Sequence, residues 1–224
     1  MAVERSSIVI EEYLQAIYAF SRGDLPVKSV QLAERLASSP STVHATLGRM
    51  QRDGFIEMGY KKQIALTPKG LLEAETLTRR HQLVETFLCD HLGIPWHEVH
   101  QHAHVLEHGL TPLVEERLAE FLGFPDNCPH GSPIPGGLGR LPEQMVFLDQ
   151  LPVGQEFSVV LIQEALEDQP ELMEFLERHH LTPGEKLQLR ERVEATNSLI
   201  LNRDNQPFSL PLSIAALIGV VVGA

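Results

Sequence analysis

Residues 27–67 read VKSVQLAERLASSPSTVHATLGRMQRDGFIEMGYKKQIALT, and their punctuation sets the fold of the N-terminal third. Val27 to Ala37 reads as a helix. Ser38 to Pro40 is a short turn, with a serine able to cap and a proline suited to a first helical turn. Ser41 to Asp53 reads as the next helix, stopped by Gly54. Phe55–Met58 and Gln63–Thr67 form two short strands around Gly59-Tyr60-Lys61-Lys62. One helix precedes this stretch, capped by Ser7 and running to Ser21, with Ile10, Leu14, Ile17 and Tyr18 on one stripe. Helix, helix, turn, helix and hairpin is the order of a winged helix-turn-helix, here residues 1–75.

Such a fold puts the N-terminal side chains of its second paired helix against base edges. Those are Ser39, Pro40, Ser41, Thr42, His44, Ala45 and Thr46. Small hydroxyl and apolar groups suit thymine methyls and phosphates more than bidentate base reading. Arg49, Arg52, Lys61 and Lys62 stand at the helix end and wing tip, where phosphates pass. The net charge of -12 argues at first against a nucleic-acid partner. Residues 1–75, however, hold nine basic and nine acidic side chains, so the acidic excess lies wholly beyond them.

Outward from there the chain stays helical. Pro68 opens a long helix to about Leu92, closed by Gly93 and Pro95. Further helices cover about His97–Gly109 and Pro112–Leu122. Residues 76–124 therefore form a helical domain. Residues 125–142 are rich in proline and glycine and read as a linker. Residues 143–224 carry short apolar runs at Glu156–Ile162, Lys186–Arg192, Ser198–Asn202 and Gly219–Val222. A helix is expected at Glu171–His180 and a turn at Pro183-Gly184. That pattern is a small β-barrel with one helix, so the fold class is mainly α with small β.

With 43% hydrophobic and 21% charged residues, the composition is that of an ordinary soluble globular protein. The apolar tail from Leu210 to Ala224 is interrupted by Pro211 and falls short of the roughly 20 residues of a membrane span. It reads as core, and no membrane role is expected. Met1 to Ile10 lacks a secretory pattern. Cys89 and Cys128 are too few and too far apart for a disulfide framework, which fits a reducing cytoplasm.

The histidines carry the chemistry. Five of the eleven fall between His97 and His108. On a helix, His100, His104, Glu107 and His108 are spaced i, i+4, i+7 and i+8 and project to one side. The preceding helix adds His81 and Glu85, another i, i+4 pair. Imidazole and carboxylate together suit manganese, iron, nickel or zinc, and facing helices are where helical metal sites are built. The bland alternative is a solvated, His-rich acidic face. A competing motif is His104-Val105-Leu106-Glu107-His108, which fits H-x-x-E-H, the inverted zincin pattern of a metallohydrolase. A third possibility is a winged-helix regulator whose last domain binds a protein or peptide.

Several stretches resemble the diphtheria-toxin-repressor (DtxR/MntR) family. They are Glu12-Tyr13-Leu14-Gln15-Ala16-Ile17-Tyr18, Ala33-Glu34-Arg35-Leu36, Arg49-Met50-Gln51-Arg52-Asp53-Gly54 and Leu66-Thr67-Pro68-Lys69-Gly70. Further on come Arg80-His81-Gln82-Leu83-Val84-Glu85, Glu107-His108 and Cys128-Pro129-His130-Gly131-Ser132-Pro133-Ile134-Pro135. Leu181-Thr182-Pro183-Gly184-Glu185 and Leu210-Pro211-Leu212 resemble the SH3-like, FeoA-type domain of longer members. The resemblance implies a metal-dependent repressor that binds double-stranded operator DNA as a homodimer. By position it assigns an activating site to Glu12, His104, Glu107 and His108. An ancillary site falls to His81, Glu85 and His100, with completion from the SH3-like domain near Gln169 and Leu172. Leu172 cannot ligate, which leaves Asp168 or Glu171 as substitutes. Iron-type members place Met and Cys where this chain has Glu12 and His104. Harder ligands favour Mn(II), with Fe(II) the alternative and Zn(II) a ligand in vitro. Protons compete for the histidines, so activation should weaken below about pH 6.5.

Overall fold

The computed structural model describes residues 5–21 and 26–223, excluding the side chains of residues 5–7 and 61. The chain folds into two compact units. The first comprises residues 1–80 with Glu107–Gly109, and the second His81–Leu106 with Leu110–Ala224.

The first unit opens with α1 (Arg5–Ser21), α2 (Ser29–Arg35) and α3 (Pro40–Arg52). Then come β1 (Ile56–Met58) and β2 (Ile64–Leu66), antiparallel about a 3-10 turn at Tyr60–Lys62. The core joins Tyr13, Leu14 and Ile17 of α1 to Leu32, Val43, Leu47, Met50, Ile56 and Ile64. This is the winged helix-turn-helix order, with three corrections of detail. Helix α1 begins before Ser7, so Ser7 is not its cap, and its side chain lies outside the described residues. Val27 is not helical. It is 2% exposed and bridges Ile64 antiparallel, extending the wing by one residue ahead of α2. The expected Ser41 start moves back to Pro40, because Ser39 caps α3 and proline at the first position loses no hydrogen bond. Gly54, at φ +78°, ends that helix as expected.

Helix α4 (Pro68–Asp90) leads into the second unit, followed by α5 (Val99–Glu107) and α6 (Pro112–Phe121). Val84 and Leu88 of α4 pack on Val99 and Ala103 of α5. Next come β3 (Val146–Phe147), β4 (Glu156–Ile162), α7 (Glu164–Glu167) and α8 (Pro170–Arg178). The chain ends with β5 (Lys186–Val193), β6 (Ser198–Arg203), β7 (Gln206–Pro211), α9 (Leu212–Ala215) and β8 (Ile218–Val222). The strands form one sheet in the order β3-β8-β4-β5-β6-β7, every described pairing antiparallel. Register shifts at Val159/Leu161 and Leu189/Glu191 mark β-bulges, which bend strands. Among the described residues β3 and β7 do not pair, so the sheet is open where a closed barrel was expected; β3 is only two residues long.

One further expectation changes. Residues 125–142 are no loose linker: Cys128, His130, Ser132 and Ile134 are all buried. A Cβ on Gly131 would fall 2.1 Å from the Val160 carbonyl oxygen, and its φ is +89°. Only glycine lets the loop press this closely onto β4. Trp96 likewise belongs to the core of the C-terminal sheet, beside Leu148, Phe157 and Leu176. No helix of the described residues is long and apolar enough to cross a membrane.

Candidate metal centres and nucleic-acid interface

Four elements of the second unit aim polar side chains at one buried point. Helix α4 supplies His81 and Glu85 one turn apart, and α5 supplies His100. The loop after α6 supplies His130, and α7 supplies Glu167. Their exposures run from 0% to 8%. His81 Nε2 lies 2.9 Å from Glu85 Oε1 and 3.0 Å from His100 Nδ1. His100 Nδ1 also lies 3.0 Å from Glu167 Oε2 and 3.3 Å from Glu85 Oε1. One imidazole nitrogen thus faces three acceptors and can hold at most one proton for them. His130 Nδ1 stands 3.5 Å from Glu85 Oε1 and 3.4 Å from Glu167 Oε2. Its other nitrogen donates to the Trp96 carbonyl oxygen at 3.3 Å, which keeps a proton on Nε2 and aims Nδ1 inward at the two carboxylates.

The electrostatics show what holds this cluster in the metal-free chain. Burial alone would raise the Glu85 pKa. The His81 and His130 charges and a hydrogen bond from His100 outweigh it and keep the carboxyl well below its usual range. Burial opposes protonation of His100, yet hydrogen bonds to Asp168, Glu167 and Glu85 raise it well above the ordinary value. His130 is raised too, against burial, by the Glu167 and Glu85 charges. Burial, reinforced by Glu85 and Glu167, pushes the Cys128 thiol well up. Protons on imidazoles therefore stand in for positive charge.

Two atoms test whether a cation fits. Glu85 Oε2 and His130 Nδ1 are buried without a hydrogen-bond partner. Leaving a buried carboxylate oxygen bare is costly, and a metal ion accepts both. One ligand atom from each of His81, Glu85, His100 and Glu167 lies within 4.8 Å of the others, and Glu85, Cys128 and His130 form an overlapping set. The donor chemistry fits a divalent transition metal.

The expected trio of His81, Glu85 and His100 is thus brought together. The residue arriving from the C-terminal region is Glu167, with Asp168 Oδ1 3.2 Å from His100 Nε2. Gln169 instead precedes α8 as its N-cap, Leu172 packs on the sheet core, and Glu171 is exposed. His130, Cys128 and Glu167 escaped the helical-spacing argument because loop-borne ligands have no period. The Cys128-Pro129-His130-Gly131 run was their one sequence signal.

A second group sits at the end of α5. His104, Glu107 and His108 place one ligand atom each within 4.8 Å. Glu107 is fully buried. An α1 carboxylate that reaches this turn is that of Glu11, next to the expected Glu12, with Oε2 2.6 Å from His108 Nδ1. Glu12 is half-buried on the same helix.

On α3, Ser39, Pro40, Ser41, Thr42, His44 and Ala45 are exposed at the helix start. Ser39 Oγ accepts from the Thr42 backbone N–H at 3.2 Å and lies 2.8 Å from Ser41 Oγ and 2.9 Å from Thr42 Oγ1. The cap thus orders a small hydroxyl cluster. Thr46 is a correction: it is 6% exposed and shares the inward i, i+3, i+4, i+7 stripe of Val43, Leu47 and Met50. It cannot reach a base edge. Arg49 is half-buried, Arg52 is exposed beside Asp53 at 3.2 Å, and Lys62 is exposed in the wing turn. The Lys61 side chain lies outside the described residues.

Comparison with known proteins identifies three segments of the chain. Residues 7–64 match the iron dependent repressor N-terminal DNA binding domain, and 67–136 its metal binding and dimerisation domain. Residues 146–222 match the FeoA domain. The iron-dependent repressor IdeR of Mycobacterium leprae (strain TN) is 34% identical over 94% of this chain and 95% of its own length. A manganese-dependent transcriptional repressor in complex with manganese is similar at a TM-score of 0.84 and 30% identity, over 95% of this chain and 99% of that one. The manganese regulator SloR gives 0.79 and 29%, over 95% and 98%. Families of this kind consist of repressors, so the H-x-x-E-H match is no hydrolase site. With its DNA-binding, metal-binding and FeoA segments in order, the chain belongs to the iron-dependent repressor family of metal-dependent transcriptional regulators.

Proposed function

We propose that the chain is a cytoplasmic, manganese-activated repressor that binds palindromic operators as a homodimer and controls metal-homeostasis genes. The observation that carries the metal dependence is the pair of buried atoms without partners, Glu85 Oε2 and His130 Nδ1, inside a shell of histidines. Glu12, His104, Glu107 and His108 hold the activating cation. His81, Glu85, His100 and Glu167, with Cys128 and His130, hold a second. The cation supplies the positive charge that imidazole protons supply in its absence. Glu12 belongs to the DNA-binding helices and His104 to the dimerisation helices, so shared ligation selects one arrangement of the two recognition helices on DNA, about one turn apart.

The domain reading is 1–75 for the winged helix, 76–124 for the helical domain, 125–142 as a connector and 143–224 for an SH3-like module. The bulges in β4 and β5 support that last assignment. Oxygen and imidazole donors at the α5 turn favour Mn(II), with Fe(II) next. Zn(II) binds in vitro, helped at the second centre by Cys128. Ser39, Pro40, Ser41, Thr42 and His44 read the operator, and Arg49, Arg52, Lys61 and Lys62 meet phosphates.

The test is capture of sheared genomic DNA by the purified chain in parallel Mn(II), Fe(II), Zn(II) and EDTA lanes. Enrichment of palindromes near metal-transport genes, strongest with Mn(II) and lost in EDTA, is the expected result. Enrichment that ignores EDTA removes the switch.

A further inference from the structure

Glu11 was not among the residues singled out in the sequence, yet its carboxylate reaches the α5 turn. Its Oε2 stands 2.6 Å from His108 Nδ1, in a half-buried setting. An ionised carboxylate only accepts hydrogen bonds. The contact therefore requires the imidazole proton on Nδ1. In the neutral ring the lone pair is then on Nε2, which lies 3.5 Å from Glu107 Oε1. Metal-bound histidines characteristically donate their second nitrogen to a carboxylate or carbonyl, which fixes the tautomer and strengthens the ligand. The same device appears in this chain at His130, whose Nε2 meets the Trp96 carbonyl oxygen while Nδ1 turns inward.

We propose that Glu11 is a positioning residue that holds His108 in the Nδ1–H tautomer, so that Nε2 is presented to a cation before any cation arrives. The proposal rests on the reading of His108 as a ligand. It divides the labour of neighbouring α1 residues, with Glu12 ligating and Glu11 orienting. A hydrogen bond that exists without the ion makes α1 part of the site in the metal-free chain.

The test uses the full-length chain at pH 8, ¹⁵N-histidine labelled and stripped of metal. The ring ¹⁵N shifts of His108, assigned by its loss in His108→Gln, report the tautomer directly. The expected form carries the proton on Nδ1. Glu11→Gln keeps an accepting oxygen, so it should preserve that tautomer and weaken Mn(II) binding at this site by less than tenfold. Glu11→Ala should lose the single tautomer and weaken binding on the order of 10- to 100-fold, with binding at the His81/Glu85/His100 centre unchanged. An Nε2–H tautomer in the parent chain, or a tautomer unmoved by Glu11→Ala, overturns the proposal. Equal losses in Gln and Ala variants with the tautomer intact make Glu11 a direct ligand, which also overturns it. If His108→Gln leaves Mn(II) stoichiometry and affinity unchanged, the ligand reading itself fails, and the metal-free spectra keep that failure distinct.

Discussion

At Glu85 a carboxylate with 1% exposure touches His81, His100 and His130. Together with Glu167, and with Asp168 at His100, it raises the pKa values of His100 and His130. Glu85→Gln should therefore lower the pKa values of His100 and His130, followed by NMR titration, and weaken metal binding at this centre at least tenfold by calorimetry. The sign of the pH effect follows from the shifts. His100 and His130 are raised, so their contribution to metal-free stability is full below about 6.5 and is lost as pH climbs through their folded values. Glu85 is lowered, so its contribution is present above about 4.3 and is lost as pH falls through its folded value. Metal must displace the histidine protons, so affinity rises with pH until those values are passed. In thermal unfolding between pH 6 and 8.5, the EDTA-treated chain should lose stability from these two groups while the metal-loaded chain gains it. Parallel curves would contradict the histidine assignment. The expected weakening below pH 6.5 thus begins at higher pH at this centre.

Among the elements, α3 separates reading from folding. Ser39 is both exposed and the helix cap, so Ser39→Ala should cost about 1 kcal/mol of stability in urea unfolding. Ser41→Ala should leave stability within about 0.5 kcal/mol and lower operator affinity alone. Thr46→Val, at a position pointing into the core, should leave operator affinity by fluorescence anisotropy within a factor of about 2. A larger loss would return Thr46 to the DNA face. These elements also show what the sequence could convey. Periodicity and punctuation located α1, α3, α4 and the hairpin within a few residues, because each buries a stripe and ends at glycine or proline. Periodicity also paired His81 with Glu85, but it grouped His100 with His104, Glu107 and His108; the family resemblance was what set His100 beside His81 and Glu85, where its ligand atom lies. It could not show Val27 crossing to Ile64, since one bridging residue has no pattern. Nor could it show His130 and Glu167 entering the centre, because both ride on short segments whose direction is set by packing against β4 and the sheet core. The same inability to weigh inward against outward faces put Thr46 on the wrong side of α3.

For the whole molecule, most of α5, the 125–142 segment and the sheet belong to one compact unit. A chain truncated after residue 142 loses Glu167 and the apolar bed around Trp96. It should bind one fewer equivalent of Mn(II) by equilibrium dialysis and unfold at lower temperature. It should keep some metal-dependent DNA binding, because Glu12, His104, Glu107 and His108 remain. Full retention of both equivalents would show that Glu167 is dispensable and that the helices and loop suffice.

Trp96 is the single tryptophan of the chain. Its indole nitrogen donates to the Pro129 carbonyl oxygen at 2.9 Å, and its ring meets the His130 ring edge-on at 4.7 Å between centroids. A protonated imidazole in that position drains the excited state of an indole, and a neutral one does so far less. The chain therefore carries its own lamp beside the buried centre. Its emission should dim when His130 holds a second proton and brighten if Zn(II), which has no unpaired electrons, displaces that proton, as a fluorescence titration would show. Loading of this one centre should then be measurable by light alone, without labels.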